Sequence, residues 1–243
     1  MRNSIRVPLL LRSASALLLL ATFPACGGNE PVAESPEPVT HRRHERPSQI
    51  TASSEIGGLS EEDVDKTFRS ALAGIQHCLD DGSKRVEFLG GSVSFFVKID
   101  EHGRVDHAHL EKSTMGDRDT EKCMLDRLRE KRWPKPVGGL HGLARKSFDF
   151  DPPNDVRPPT SWDGDHVSGT VSKLSRKLSA CKQGARGTFE ATVYVGTDGS
   201  VLAAGVTPPD EAGEADVDCL VDTLKGASLP SPGSWPAKVT FSL

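Results

Sequence analysis

Cys123-Met-Leu-Asp-Arg-Leu-Arg129 recurs 96 residues later as Cys219-Leu-Val-Asp-Thr-Leu-Lys225, and this repetition decides the fold. The same offset places Val97-Lys-Ile99 on Val193-Tyr-Val195, Gly103-Arg-Val105 on Gly199-Ser-Val201, and Trp133-Pro-Lys-Pro136 on Leu229-Pro-Ser-Pro232. Near the ends the offset changes. Ala144-Arg-Lys-Ser-Phe148 matches Ala237-Lys-Val-Thr-Phe241 at 93, and Cys78 matches Cys181 at 103. The seven-residue difference upstream falls between the first helix and the first strand, where a loop absorbs it. The chain holds two copies of one unit.

Each copy reads as helix, strand, strand, helix, strand. Ser60-Glu-Glu-Asp63 predicts an N-cap followed by acids in the first turn. Val64, Phe68, Leu72, Ile75 and Leu79 then recur at helical spacing, as do Val167, Val171, Leu174, Leu178 and Cys181 in the second copy. Strand alternation follows in Val93, Phe95, Val97 and Ile99, and in Phe189, Ala191, Val193 and Val195. The turns Asp100-Glu-His-Gly103 and Thr197-Asp-Gly199 end in the glycine that a tight hairpin needs. Val105 to Leu110 and Val201 to Val206 are each five apart, a change of face that predicts a bulge. A second helix spans about 119–129 and 215–225, a Pro-rich bend stops it, and a final strand follows at Arg145–Phe150 or Lys238–Leu243. Asp151-Pro-Pro-Asn-Asp-Val-Arg-Pro-Pro159 is a stiff connector.

The 243 residues carry 30 basic and 34 acidic side chains, and 36% are hydrophobic. That balance fits a globular protein with connectors rather than a disordered one. It also lacks the basic excess of a nucleic-acid-coating protein. Arg2, Arg6 and Arg12 precede an apolar run from Ser13 to Phe23, too short to cross a bilayer as a helix and shaped like a secretory signal. Phe23-Pro-Ala-Cys26-Gly-Gly28 resembles a bacterial lipobox, in which Cys26 would be diacylated and become the mature N-terminus. Ala25 fits that motif, while Phe23 and Pro24 depart from it. By the common sorting rule, Gly27 after such a cysteine favours the outer membrane. The chain then divides into a signal peptide (1–25), a lipid-anchored tether (26–54), a first domain (55–152), a Pro-rich linker (153–162) and a second domain (163–243). Within the tether, His41-Arg-Arg-His44 reads as a solvated charge run or as a small phosphate- or metal-binding knot.

The order helix, strand, Asp-Gly turn, strand, helix, aromatic-or-Leu-Pro-x-Pro, strand resembles the TonB C-terminal fold. With one Cys on each helix it is closer to the AgmX/PglI-type C-terminal domains. The resemblance covers residues 55–152 and 163–243 and implies an α+β fold in two tandem copies. It also implies a non-catalytic role in which the last strand pairs with a segment of an envelope partner. On this chain that edge carries Arg145, Phe148 and Phe150, and Lys238 and Phe241. The charged side chains there serve equally well as guards against edge pairing. The motor-coupled membrane anchor of TonB has no counterpart here.

Without Cys26, four cysteines remain, two per copy at matching positions in an exported chain. The expected pairs are Cys78–Cys123 and Cys181–Cys219. The competing chemistry is a thiol-redox or metal centre built on the same cysteines. His77 precedes Cys78, but Ala180 holds the equivalent place, and there is no CxxC pair. His107 and His109 share a strand face and read as a solvent-facing pair or as two metal ligands. Their equivalents, Ala203 and Gly205, show that the shared fold does not require them. His102 in the hairpin turn and His141 in a Gly-rich loop have no evident partner. No nucleophile elbow, paired-carboxylate signature or phosphate loop occurs. The sequence therefore predicts no enzyme, no cofactor and no metal. It predicts an exported outer-membrane lipoprotein that holds or recognises an envelope protein or peptidoglycan.

Overall fold

Ser60 begins the first helix as its sequence requires, its Oγ accepting the Asp63 N–H at 3.3 Å, with Glu61, Glu62 and Asp63 in the first turn. We analysed a computed structural model that describes residues 54–153, 155–183 and 186–243. The leader, Cys26, the His41–His44 run and the tether as far as residue 53 lie outside the described residues. The first half runs β1 (Ser54–Ile56), α1 (Glu61–Ser83), β2 (Gly91–Asp100), β3 (Val105–Ser113), α2 (Arg118–Arg129) and β4 (Gly139–Phe150). The second runs β5 (Thr160–Trp162), α3 (Asp165–Cys181), β6 (Glu190–Val195), β7 (Val201–Thr207), a 3₁₀ segment (Glu211–Asp216), α4 (Val217–Lys225) and β8 (Ala237–Ser242). The class is α+β.

Each half builds a four-stranded sheet, ordered β1-β4-β2-β3 and β5-β8-β6-β7. Along β2, Val93, Phe95, Val97 and Ile99 are fully buried beneath Phe68, Ala71 and Ile75 of α1, the two-residue period expected of a sheet with one core face. The hairpins turn at Gly103 (φ +76°) and Gly199 (φ +82°). A Cβ at either would sit within 2.4 Å of the Trp133 carbonyl or 2.2 Å of the Leu229 carbonyl, so both glycines are needed for conformation and for space. Ladder slips occur at Ser94/Phe95, Lys98/Ile99 and Tyr194/Val195, where the change of face in the following strand required an irregularity.

Two features exceed the sequence reading. Each first helix is preceded by a short strand that joins the sheet in parallel: Ser54 and Ile56 align with Gly139 and His141, and Thr160–Trp162 with Ala237–Val239. Further, β4 starts at Gly139, so the Gly-rich segment around His141 is strand and not loop. The reason is close approach: a Cβ at Gly139 would fall 2.2 Å from the Gly57 nitrogen, and its absence lets β1 dock.

Cys78 is bonded to Cys123, tying α1 to α2, and Cys181 to Cys219, tying α3 to α4 (Cα–Cα 5.8 and 5.6 Å). The described residues form one compact unit with two cores. The first-half core incorporates Tyr194 and Ala203 from the second half. Among the described residues no helix is long and apolar enough to cross a membrane.

Candidate functional site

The two halves meet along the outer face of the second sheet. In β6, Ala191, Val193 and Val195 point into their own core, while Thr192 and Tyr194 are buried on the opposite face, so beyond the exposed Glu190 the strand has no solvent side. Tyr194 is fully buried, with its ring 5.6 Å from that of Phe88. Its hydroxyl donates to the Gly90 carbonyl (3.0 Å) and accepts from the Gly90 N–H (3.3 Å). Burial raises its pKa. Lys238 of β8 lies 5.1 Å from the Tyr194 ring centroid and donates to the same Gly90 carbonyl at 2.6 Å. Burial lowers its pKa to about 8. At the start of α2, Arg118 reaches Glu214 (3.0 Å) and Asp218 (2.7 Å) of the second half. Arg118 and Glu214 are 96 apart and occupy equivalent places in the two copies, so equivalent positions meet across the seam.

Glu121 lies one turn along α2 and is also inside the seam. Its Oε1 accepts from Ser113 Oγ (2.6 Å) and from the Gly116 N–H (3.3 Å), while Oε2 is buried with no hydrogen-bond partner. Gly205 of β7 faces it. Burial pushes the Glu121 carboxyl up to about 7, against the lowering influence of Ser113, Arg118 and Gly116.

Beside the seam, a cleft of about 510 Å³ opens between the end of β4 and the β5–β8 pair. Phe88, Phe150, Trp162 and Pro152 supply apolar walls, and Tyr194 and Lys238 a polar floor. Asp149 and Asp151 also line it.

The outer margin of β4 leads toward this cleft. β1 covers only Gly139 and His141, where the Gly57 N–H donates to the His141 carbonyl at 2.7 Å. Alternation then turns the N–H and C=O groups of Leu143, Arg145, Ser147 and Asp149 outward. The other side of the ladder agrees: Ser92 is paired with Asp149 but spends its own carbonyl on Thr114 N, toward β3. Among the described residues no strand pairs with Leu143–Phe150 on that side. The opposite margin of the first sheet is occupied, since β3 runs beside β7 and Arg129 donates to the Ala108 carbonyl at 2.7 Å.

The residues singled out in the sequence separate into two settings. Arg145 lies on the open part of β4, where its guanidinium is 2.8 Å from Glu111 and 4.7 Å from the Phe96 ring centroid. Phe148 and Phe150 are partly buried and pack against the first core. In the second half, β5 flanks Ala237–Val239, so the backbone of Lys238 is covered and its side chain turns into the cleft. Phe241 packs on the second core. The open stretch belongs to the first half, and only Thr240–Ser242 of β8 extend past β5. His107 and His109 contact each other at 3.2 Å. They are not a solvent-facing pair: His109 is buried against Phe96, with Pro209 and Glu211 of the second half beside it, and its pKa is lowered by burial and by His107. Among the described residues no cluster of His, Cys, Asp or Glu could hold a metal ion.

Tyr194 and Glu121 were not singled out from the sequence, although each carried a signal. Tyr194 is the chain's one tyrosine and sits on the face of β6 that alternation assigns to solvent. Glu121 is equivalent to Val217, an apolar core position of α4. No protein-family model, curated protein or solved structure matches this chain.

Proposed function

We propose that this chain is a non-catalytic cell-envelope lipoprotein, exported by residues 1–25 and anchored at Cys26. Its first half would receive an extended segment of an envelope protein along β4. The observation that carries this reading is the open margin at Leu143–Asp149, a row of outward backbone donors and acceptors that no strand among the described residues uses. An added strand satisfies those groups in register, and main-chain bonding of this kind supplies affinity without a fixed partner sequence. The cleft at the end of the row, walled by Phe88, Phe150 and Trp162, would take an apolar side chain of the incoming segment and add specificity. The strand-pairing use implied by the TonB C-terminal resemblance is supported by the same margin. The disulfides act as staples in this scheme, and the tether sets the reach from the membrane.

Proline at position 147 tests it. The Ser147 N–H points away from β2, so Ser147→Pro removes one outward donor while leaving the β2–β4 ladder bonds in place. With a photoreactive side chain at Asp149 in the full chain, expressed in its own envelope, the expected result is one discrete protein adduct. Ser147→Pro should reduce that adduct at least tenfold, about 1.4 kcal/mol in binding, without moving the unfolding midpoint by more than a few degrees. An adduct of equal yield in the variant would exclude strand addition at β4.

A further inference from the structure

We propose that Glu121 is a proton-operated latch between the two halves: as the neutral acid it holds α2 seated on β7, and as the carboxylate it loosens the seam. The geometry has three parts. Glu121 is 1% exposed, and it faces the second half rather than its own core. Ser113 Oγ and the Gly116 N–H both serve Oε1, so Oε2 is left without a donor. The wall opposite is Gly205, where even a Cβ would come within 2.6 and 2.7 Å of the two carboxyl oxygens. A residue with neither side chain nor spare room brings no donor and admits no water between.

No cation is paired with the carboxyl at this place, and the distant influence of Arg118 does not outweigh its burial. From α2, Arg118 is committed to Glu214 and Asp218, and Asp117, which adds negative charge nearby, is bonded to Arg85. From β8, Lys238 is committed to the Gly90 carbonyl. From β6, Tyr194 adds a hydroxyl whose bonds both go to Gly90. β3 and β7 contribute Ser113 and Gly205, neither of which titrates near neutrality. An ionised carboxylate that is buried with one oxygen unserved is expensive, whereas the neutral acid is far less so. Separation of α2 from β7 lets water reach Oε2, so ionisation and loosening are coupled.

The direction follows from the raised pKa. The carboxyl is pushed from 4.5 to about 7 in the packed state, so the packed state holds the proton more tightly than the loosened one. The seam is strongest below about pH 4.5, weakens as pH rises toward 7, and is constant above that. Over this window the closing equilibrium should fall by roughly two orders of magnitude. The second copy has Val217 at this position, so the device belongs to one half alone.

The Gly90 amide reports directly on the seam, because its N–H is bonded to the Tyr194 hydroxyl across it. In the mature chain with both disulfides intact, hydrogen-exchange protection at Gly90, corrected for intrinsic rates, should fall by tens-fold or more between pH 5 and pH 8. The central-strand amide of Val97 should keep its protection. Glu121→Gln imitates the neutral acid and should remove the pH dependence at Gly90. Should that variant fail to fold, the titration of the Glu121 carboxyl carbon by NMR in the unmodified chain decides the matter. A midpoint well above the ordinary glutamate range is expected. Protection at Gly90 that is flat with pH, an equal fall in Glu121→Gln, or a carboxyl midpoint near 4.5 would each overturn the latch.

Discussion

Tyr194→Ala should destabilise the protein by about 3–5 kcal/mol, the range for deleting a fully buried aromatic side chain. The loss should reach the half to which Tyr194 does not belong in sequence as well as its own. The ring fills space in the first-half core beside Phe88 and beneath Lys238, and its removal leaves a cavity that the two sheets cannot both collapse into. Tyr194→Phe separates the hydroxyl from the ring. It strands the Gly90 N–H, while the Gly90 carbonyl keeps its bond from Lys238, so a smaller loss of about 1–3 kcal/mol is expected. Urea unfolding followed by tryptophan fluorescence measures both, with Trp133 and Trp235 reporting the first core and Trp162 the second. The two signals should move together in each variant. A Tyr194→Ala loss below 1 kcal/mol, or a change seen only at Trp162, would show that the halves do not share a core.

The second large effect concerns the second disulfide. Replacing Cys181 and Cys219 together with alanine opens a loop of 38 residues, for which the chain-entropy model gives about 4 kcal/mol. The local part of the loss should fall on α3. That helix buries only Val167, Leu178 and Cys181, whereas α1 buries Phe68, Ala71, Ile75, Cys78, Leu79 and Gly82. A helix with so few apolar anchors relies on its covalent link to α4. The double variant should therefore lose helical signal on warming before the sheets melt, with α3 amides exchanging first. The matching removal of Cys78 and Cys123 should lower stability by a similar amount while leaving α1 helical. Equal fraying of α1 and α3 would show that apolar anchoring is not what distinguishes them.

The elements most legible in the sequence were those held by local chemistry. Ser60 with its three following acids, the Gly103 and Gly199 turns, and the alternation from Val93 to Ile99 each specify their own geometry within a few residues. The duplication added the cysteine partners, because matching positions restrict the pairings. β1 and β5 were illegible for the opposite reason. Each is three residues long and has no period, and it forms only because Gly139 or the β8 backbone lies beside it. The same holds for the seam. Nothing near Glu121 in sequence announces Gly205, and the alternation of β6 that assigns Tyr194 to solvent is correct for one half alone. Tertiary contact between the copies overrides it. The edge reading from resemblance placed attention on both final strands, while the short parallel strands determine how much of each remains open.

That openness can be read residue by residue. In the free chain, the amides of Arg145, Ser147 and Asp149 should exchange rapidly, and those of Ala144, Lys146, Phe148 and Phe150, which face β2, should be protected. The decisive measurement is the same exchange profile in complex with the envelope partner captured by cross-linking at Asp149. Strand addition at β4 requires that the odd-numbered amides become protected while the even-numbered ones stay as they were. Binding that leaves Arg145, Ser147 and Asp149 exchanging rapidly, or that protects a surface elsewhere, would contradict the proposed role.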